Sequence, residues 1–402
     1  MTMSIKEKLP SFLEDIEKDL DRTLKFWLEN SHDDEFGGFF ICLGPDGRVF
    51  DETKYTWLEC RQVWMYARLY NDLEKYRKPQ ILQAAIKGAD FLKQHMKNPD
   101  TMKCCLSMTR DGQPIKIQRT IFSECFYLMA MSELARATGE TMYREEALAM
   151  MDKILFWVQK DDSQLGKTQL PGNKPYCSLA NPMMLLCLIE QMETMDPTLA
   201  DTYKDSATWC LKEVNKHIQR GGSIILENVS VDGEELAGSN GRLMVPGHAI
   251  EAGWFLLQRA LKSGDTTLQK TAIDKFIVRP FQTGWDELYG GLFYFLDVDG
   301  LSPTQLEWDM KLWWPHNEAM IAFLMAYKAT RDEEHLHKFQ RVFKYSYSHF
   351  VDHCYGDWFG YLNRRGEVKL NFKGGPWKGF FHVPRCQLMC MQLLKDIIAS
   401  EK

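Results

Sequence analysis

Five short β-like stretches, each built around an Asp-Gly or Arg-Gly turn, recur along this chain: GGFFICLGPDGRVF, CCLSMTRDGQPIKI, GSIILENVSVDGEEL, GGLFYFLDVDGLSP and GYLNRRGEVKL. Their turn glycines are Gly47, Gly112, Gly233, Gly300 and Gly366, separated by 65, 121, 67 and 66 residues. Glycine at such a place closes a tight hairpin because it accepts positive φ. The long gap is almost two periods, so a degenerate copy is expected near 168–172, where GKTQLPG sits. A fixed period of this length marks a chain built from repeated supersecondary units.

Two helical patterns fill each period. Directly after each turn comes an apolar one, as in RQVWMYARLYNDL, SECFYLMAMSELARA and NEAMIAFLMAYKA. A more amphipathic one follows, as in PQILQAAIKGADFLKQHM and HLHKFQRVFKYSYSHFV. Helices apolar all round are buried, and amphipathic ones are half-solvated. Six such pairs predict an all-α (α/α)6 toroid with short β-hairpins at one face. Two-helix units that close on themselves need no terminal caps, unlike an open solenoid. No Pro/Ser-rich linker, charge block or low-complexity run interrupts the pattern, which predicts a single barrel domain over 1–402.

Composition narrows the function classes. A net charge of −6 with no basic stripe argues against nucleic-acid binding. The first segment, MTMSIKEKLPSFLEDIEKDL, is charged from the fifth residue on, and no apolar run approaches the roughly 20 residues of a membrane span. The odd count of 11 cysteines, without CxxC pairs, fits free thiols in a reducing compartment and so a cytoplasmic protein with no membrane partner. GKTQLPG lacks Walker spacing, and His349, His353 and Cys354 lack a carboxylate complement, so no metal is expected.

Aligning the inner helices on their apolar runs places charges near the first turn in five copies: Arg61, Glu124, Glu251, Glu318 and Arg385. In a closed toroid these turns face one mouth, and charges there are costly unless paired or functional. Two copies add a histidine three residues earlier, His248 before Glu251 and His382 before Arg385, on the same helix face. A lone histidine near a helix start is ordinarily a hydrogen-bonded structural residue. The same offset in two repeats, beside charges on the funnel face, points instead to an acid/base pair. Trp57, Trp64, Trp254, Trp314, Trp377 and Phe381 crowd this level. Rings among carboxylates and guanidiniums suit a carbohydrate, whose C–H faces stack and whose hydroxyls take charged partners. Asn181, in the otherwise uncharged third copy, joins Glu124, Trp314, Trp377 and Arg385 as a candidate substrate contact.

The stretches WLECRQVWMYARLY, VPGHAIEAGWFLL, MKLWWPHNEAMIAFLMAY and GGPWKGFFHVPRC resemble the N-acylglucosamine 2-epimerase family, whose vertebrate members are also called renin-binding proteins. The likeness runs over essentially the whole chain. It implies an (α/α)6 barrel, a homodimer, and interconversion of N-acetylglucosamine and N-acetylmannosamine. It implies catalytic roles for Arg61, His248, Glu251, Glu318 and His382. It also implies activation by ATP or a related nucleotide that is not consumed, contacted near Lys167, and an association with renin. The rivals are a cellobiose 2-epimerase or mannose isomerase on the same toroid, a glycoside hydrolase using Glu251 and Glu318, and an interaction protein.

Overall fold

The computed structural model describes residues 4–167, 170–172 and 174–401. Twelve helical segments alternate between an inner and an outer ring. The inner helices are α2 (Thr56–Asp72), α4 (Phe122–Thr138), α6 (Ala180–Met195), α8 (Pro246–Ser263), α10 (Trp313–Thr330) and α12 (His382–Ser400). The outer ones are α1 (Leu9–Asn30), α3 (Pro79–His95), α5 (Thr141–Gln159), α7 (Ala200–Asn215), α9 and α11 (Glu333–His349). Helix α9 is composite: Thr266–Thr271, a π-helical stretch Ala272–Val278, and Arg279–Gly284.

Burial follows the sequence pattern. Helix α10 is buried on every side from Trp313 to Tyr327. In α11 the buried residues His335, Leu336, Phe339, Val342, Phe343 and Ser346 repeat at helical spacing along one stripe. The inner helices pack in sequence order, and α12 returns to α2. The ring closes because α1, which precedes the first repeat, packs on α12 as the missing outer helix. Asp19 of α1 accepts from Trp358 Nε1 and from Gln387 Nε2, both at 2.7 Å. The toroid is therefore sealed by the two ends of the chain.

The turns sit where the sequence places them, but the Gly300 copy forms no local hairpin, because its strand Leu296–Asp297 pairs with Leu243–Met244. All five turn glycines have positive φ, between 68° and 89°. Examples are Cys42–Leu43 with Val49–Asp51, Cys105–Met108 with Pro114–Ile117, and Tyr361–Leu362 with Val368–Leu370. The degenerate copy differs. The strand Tyr176–Ser178 pairs with Asn228–Ser230 across the next repeat instead of folding on a local partner. Part of GKTQLPG (168, 169 and 173) lies outside the described residues.

Three of the loops beside the hairpins are tied down by buried ion pairs. Lys54 meets Asp33 at 3.1 Å, Lys311 meets Asp286 at 3.0 Å, and Lys373 meets Asp352 at 2.8 Å, with all three lysine side chains fully buried. The carboxylates also accept backbone N–H groups of their own loops, at Phe36, Leu288 and Cys354. The loops that shape the mouth are thus pinned to the scaffold.

Candidate active site

The first two turns of α8, α10 and α12, adjacent in the inner ring, build the floor of the funnel. Arg385 of α12 is its hub: one nitrogen, Nη2, lies 2.9 Å from Glu251 Oε1 and 2.6 Å from Glu318 Oε1. Glu318 Oε1 is also 2.8 Å from His382 Nδ1, and Glu318 Oε2 accepts from Trp254 Nε1 at 2.9 Å. Glu251, Glu318 and His382 come within metal-ligand reach of one another. The space between them, however, is taken by the Arg385 guanidinium. These residues therefore make a salt-bridge network, and a metal would have to displace a buried cation.

His382 faces this network. Burial, with Arg61 and Arg385 beside it, holds its imidazole well below the usual histidine range, so the ring is neutral. Its Nδ1–H then donates to Glu318, and Nε2 carries the free lone pair. His248 has different company. Its Nδ1 lies 3.1 and 3.2 Å from the two oxygens of Glu227, and its side chain is 32% exposed into the funnel. Burial opposes its charge, but Glu227, with Glu251 and Glu318 further off, wins and raises its pKa. Trp314 stands between the two imidazoles, 5.2 Å from the His248 ring and 6.0 Å from that of His382.

Arg61 enters from α2. Its guanidinium is caged by Trp57 at 4.4 Å, Phe126 at 4.1 Å and Phe381 at 4.6 Å. Burial and the nearby Arg385 push it down to about 9. Its Nε is buried without an acceptor. Among the described residues it forms no ion pair, so it is a fixed donor with capacity to spare. Trp377 is 62% exposed at the rim, its ring 5.8 Å from Trp57. Asn181 lies half-buried in the first turn of α6.

Two sequence-derived candidates fall elsewhere. Glu124 does not look into the funnel: its Oε1 accepts the Cys104 N–H at 2.7 Å and meets Lys103 Nζ at 2.9 Å. The same clamp recurs where Glu59 accepts the Phe39 N–H at 2.9 Å and His316 Nε2 accepts the Leu292 N–H at 2.9 Å. Glu59-Cys60-Arg61 therefore aligns with Glu124-Cys125-Phe126, and the funnel position of α4 is Phe126. Aligning apolar runs had put the register two residues off. Lys167 is an exposed residue paired with Asp162 at 2.7 Å, following a single 3₁₀ turn, Ser163–Leu165. Among the described residues no helix N-terminus backs it.

Sequence reading missed Glu227. It lies outside any first turn, in the strand-like stretch ILENVS, and only folding carries it to His248. The histidine offset was the one available signal that such a partner was needed.

A closed α/α ring with two imidazoles held at one funnel floor, each by its own carboxylate, defines a class of carbohydrate-active enzyme that moves protons. The family model for N-acylglucosamine 2-epimerase (GlcNAc 2-epimerase) matches residues 38–386, and the chain belongs to that family. It is a carbohydrate epimerase. The N-acylglucosamine 2-epimerase of Bos taurus is 54% identical over 395 residues, 98% of this chain and 94% of the bovine one. The D-mannose isomerase of Marinomonas mediterranea is 24% identical over 95% of this chain and 97% of its own length. A solved cellobiose 2-epimerase from Bacillus thermoamylovorans has the same fold, with TM-score 0.82, 20% identity, and coverage of 95% and 99%.

Proposed function

We propose that this protein interconverts N-acetyl-D-glucosamine and N-acetyl-D-mannosamine by two-base proton transfer at C2 of the open-chain sugar. One observation carries the mechanism: His248 and His382 are each held through Nδ1 by a different carboxylate, which leaves both Nε2 atoms for chemistry. C2–H becomes acidic only when C1 is an aldehyde. One imidazole removes H2, an enolate forms, and the other imidazole returns a proton on the opposite face. An imidazole can both take and give a proton, which suits both roles, and each such group typically contributes about 10²–10⁴-fold. The developing enolate oxygen needs a fixed donor, and Arg61 has the spare N–H capacity for it. Glu251 and Glu318 hold Arg385 and orient His382. Trp314, Trp377 and Asn181 offer the sugar a stacking face, a rim and an amide.

The identity to the bovine N-acylglucosamine 2-epimerase, set against 24% to the mannose isomerase, favours an N-acylated substrate over a free 2-hydroxyl. A hydrolase reading needs Glu251 and Glu318 as acid and nucleophile across a glycosidic bond. Here one guanidinium nitrogen holds both.

The test is turnover of N-acetylmannosamine in D2O, with deuterium expected at C2 of the product. His248→Asn and His382→Asn are each expected to bind sugar and lose at least about 10²-fold in kcat. Full activity in either variant refutes the two-base scheme.

The same reading extends to a homodimer, measurable by light scattering, and to a cytoplasmic location, measurable by fractionation. It includes activation by ATP or a related nucleotide, read as faster turnover without nucleotide hydrolysis, and an association with renin, read by co-purification. No catalytic step above passes through the nucleotide.

A further inference from the structure

The charges at the funnel floor do not balance without a proton on the histidine pair. Three carboxylates, Glu227, Glu251 and Glu318, and two guanidiniums, Arg61 and Arg385, surround the imidazoles. They leave one negative charge, and a single proton on the pair neutralises it. Buried charges persist only when compensated.

Position decides which ring carries that proton. Glu251 and Glu318 already share Arg385, at 2.9 and 2.6 Å. Glu227 is buried, and among the described residues its carboxylate hydrogen-bonds to no lysine or arginine, only to His248. Its backbone is anchored on both sides, which fixes where the side chain starts. Its N–H donates to the Leu243 carbonyl at 2.9 Å, and its carbonyl accepts the Leu179 N–H at 2.9 Å. The other groups around His248 are Trp314, the neutral His382 and Glu318 on neighbouring elements, with Glu318 held by Arg385, and Glu251 one turn along its own helix. None of them competes with Glu227 as a counter-charge in contact.

We propose that Glu227 is a positioning residue that fixes the tautomer of His248 and parks the pair's single proton on it, so that in the resting enzyme His248 is the acid and His382 the base. This rests on the two-base reading above. In the forward stroke the C2–H bond breaks toward His382 Nε2, and His248 Nε2 gives its proton to the opposite face of C2. The enzyme is left with the proton on His382, beside two guanidiniums, and Glu227 without a counter-charge. The proton must return to His248, by exchange with solvent, before the same epimer can react again. The enzyme therefore has a reset step between turnovers.

The test is the pH profile of kcat/KM for wild type, Glu227→Gln and Glu227→Asp, with folding checked by circular dichroism. In wild type the alkaline limb reports loss of the His248 proton and the acid limb reports protonation of His382. Glu227→Gln is expected to move the alkaline limb down by about one pH unit or more, leave the acid limb in place, and lower kcat about 10²-fold with KM within a few-fold. Glu227→Asp is expected to restore part of both. An unmoved alkaline limb in folded Glu227→Gln overturns the proposal. Histidine NMR of the wild type, assigned with His248→Asn, gives an independent reading. One imidazolium and one neutral ring near pH 7 are expected, and two neutral rings overturn it. If His248→Asn is itself fully active, the two-base reading is what fails. If it is inactive while Glu227→Gln behaves as wild type, only the role of Glu227 falls.

Discussion

Arg61 shows how one side chain is tuned by what surrounds it. Three aromatic rings hold the guanidinium flat within 4.1–4.6 Å and give it no counter-ion. A planar cation can stack in that slot, whereas an ammonium is a point charge that prefers water. Arg61→Lys is therefore expected to keep the charge and lose the geometry, lowering kcat about 10²–10³-fold with little change in KM. Steady-state kinetics with N-acetylmannosamine would show it, and a change confined to KM would assign Arg61 to substrate binding alone. The histidines make the same point, since two identical side chains with the same helical offset acquire opposite protonation from different neighbours.

At the scale of the element, the unit that repeats is a loop clamped onto the first turn of an inner helix. Gly38 must lack a Cβ there: it has φ +69°, and an added Cβ would sit 2.8 Å from Glu59 and 2.9 Å from Phe91. Glu124→Gln keeps an acceptor for the Cys104 N–H but loses the charge that pairs with Lys103, and should cost about 1–3 kcal/mol of stability while leaving kcat/KM near wild type. Urea denaturation paired with an activity assay distinguishes this from a funnel role, which would give the reverse. The Glu59 clamp carries a pH signature. Burial raises its carboxyl to about 8, far above its value in the unfolded chain. Between those two values the folded state keeps a proton that the unfolded state has lost. The contribution is therefore fully present at acid pH and is lost as pH rises toward 8, at up to about 1.4 kcal/mol per pH unit. Glu59→Gln should flatten that slope in denaturation curves taken from pH 5 to 8, and parallel curves for the two proteins would count against it.

For the whole molecule, the decisive contact joins the ends of the chain. Asp19, fully enclosed between α1 and the last repeat, takes two donors, Trp358 Nε1 and Gln387 Nε2. An exposed pair on the same helix, Lys18–Glu14, contributes little, because solvent screens it. Asp19→Ala is expected to cost about 1–3 kcal/mol, since buried Trp358 Nε1 loses its acceptor and Gln387 Nε2 keeps only Thr23, whereas Glu14→Ala should be near neutral. Guanidinium melts of the two variants provide the comparison, and equal stability would mean that the seam is held by apolar packing alone.

The sequence alone determined the ring and its period. Turn glycines at fixed spacing and two kinds of helix face are local signals, and six apolar helices have only each other to bury against. It also placed Arg61, His248, Glu251, Glu318, His382 and Arg385 at one mouth, because all lie within the first two turns of inner helices. Register within a turn was beyond it. Apolar runs align only to within a residue or two, so Glu124 was sorted with Arg61 when its partner in the repeat is Glu59. Pairing was beyond it too. Glu227 reaches His248 across 21 residues from the bend just before the strand Asn228–Ser230, and Arg385 reaches Glu251 across 134. Such contacts depend on how helices and the loops between them are stacked, which no spacing encodes. Tertiary structure therefore decided which carboxylate each imidazole faces, and with it which one carries the proton.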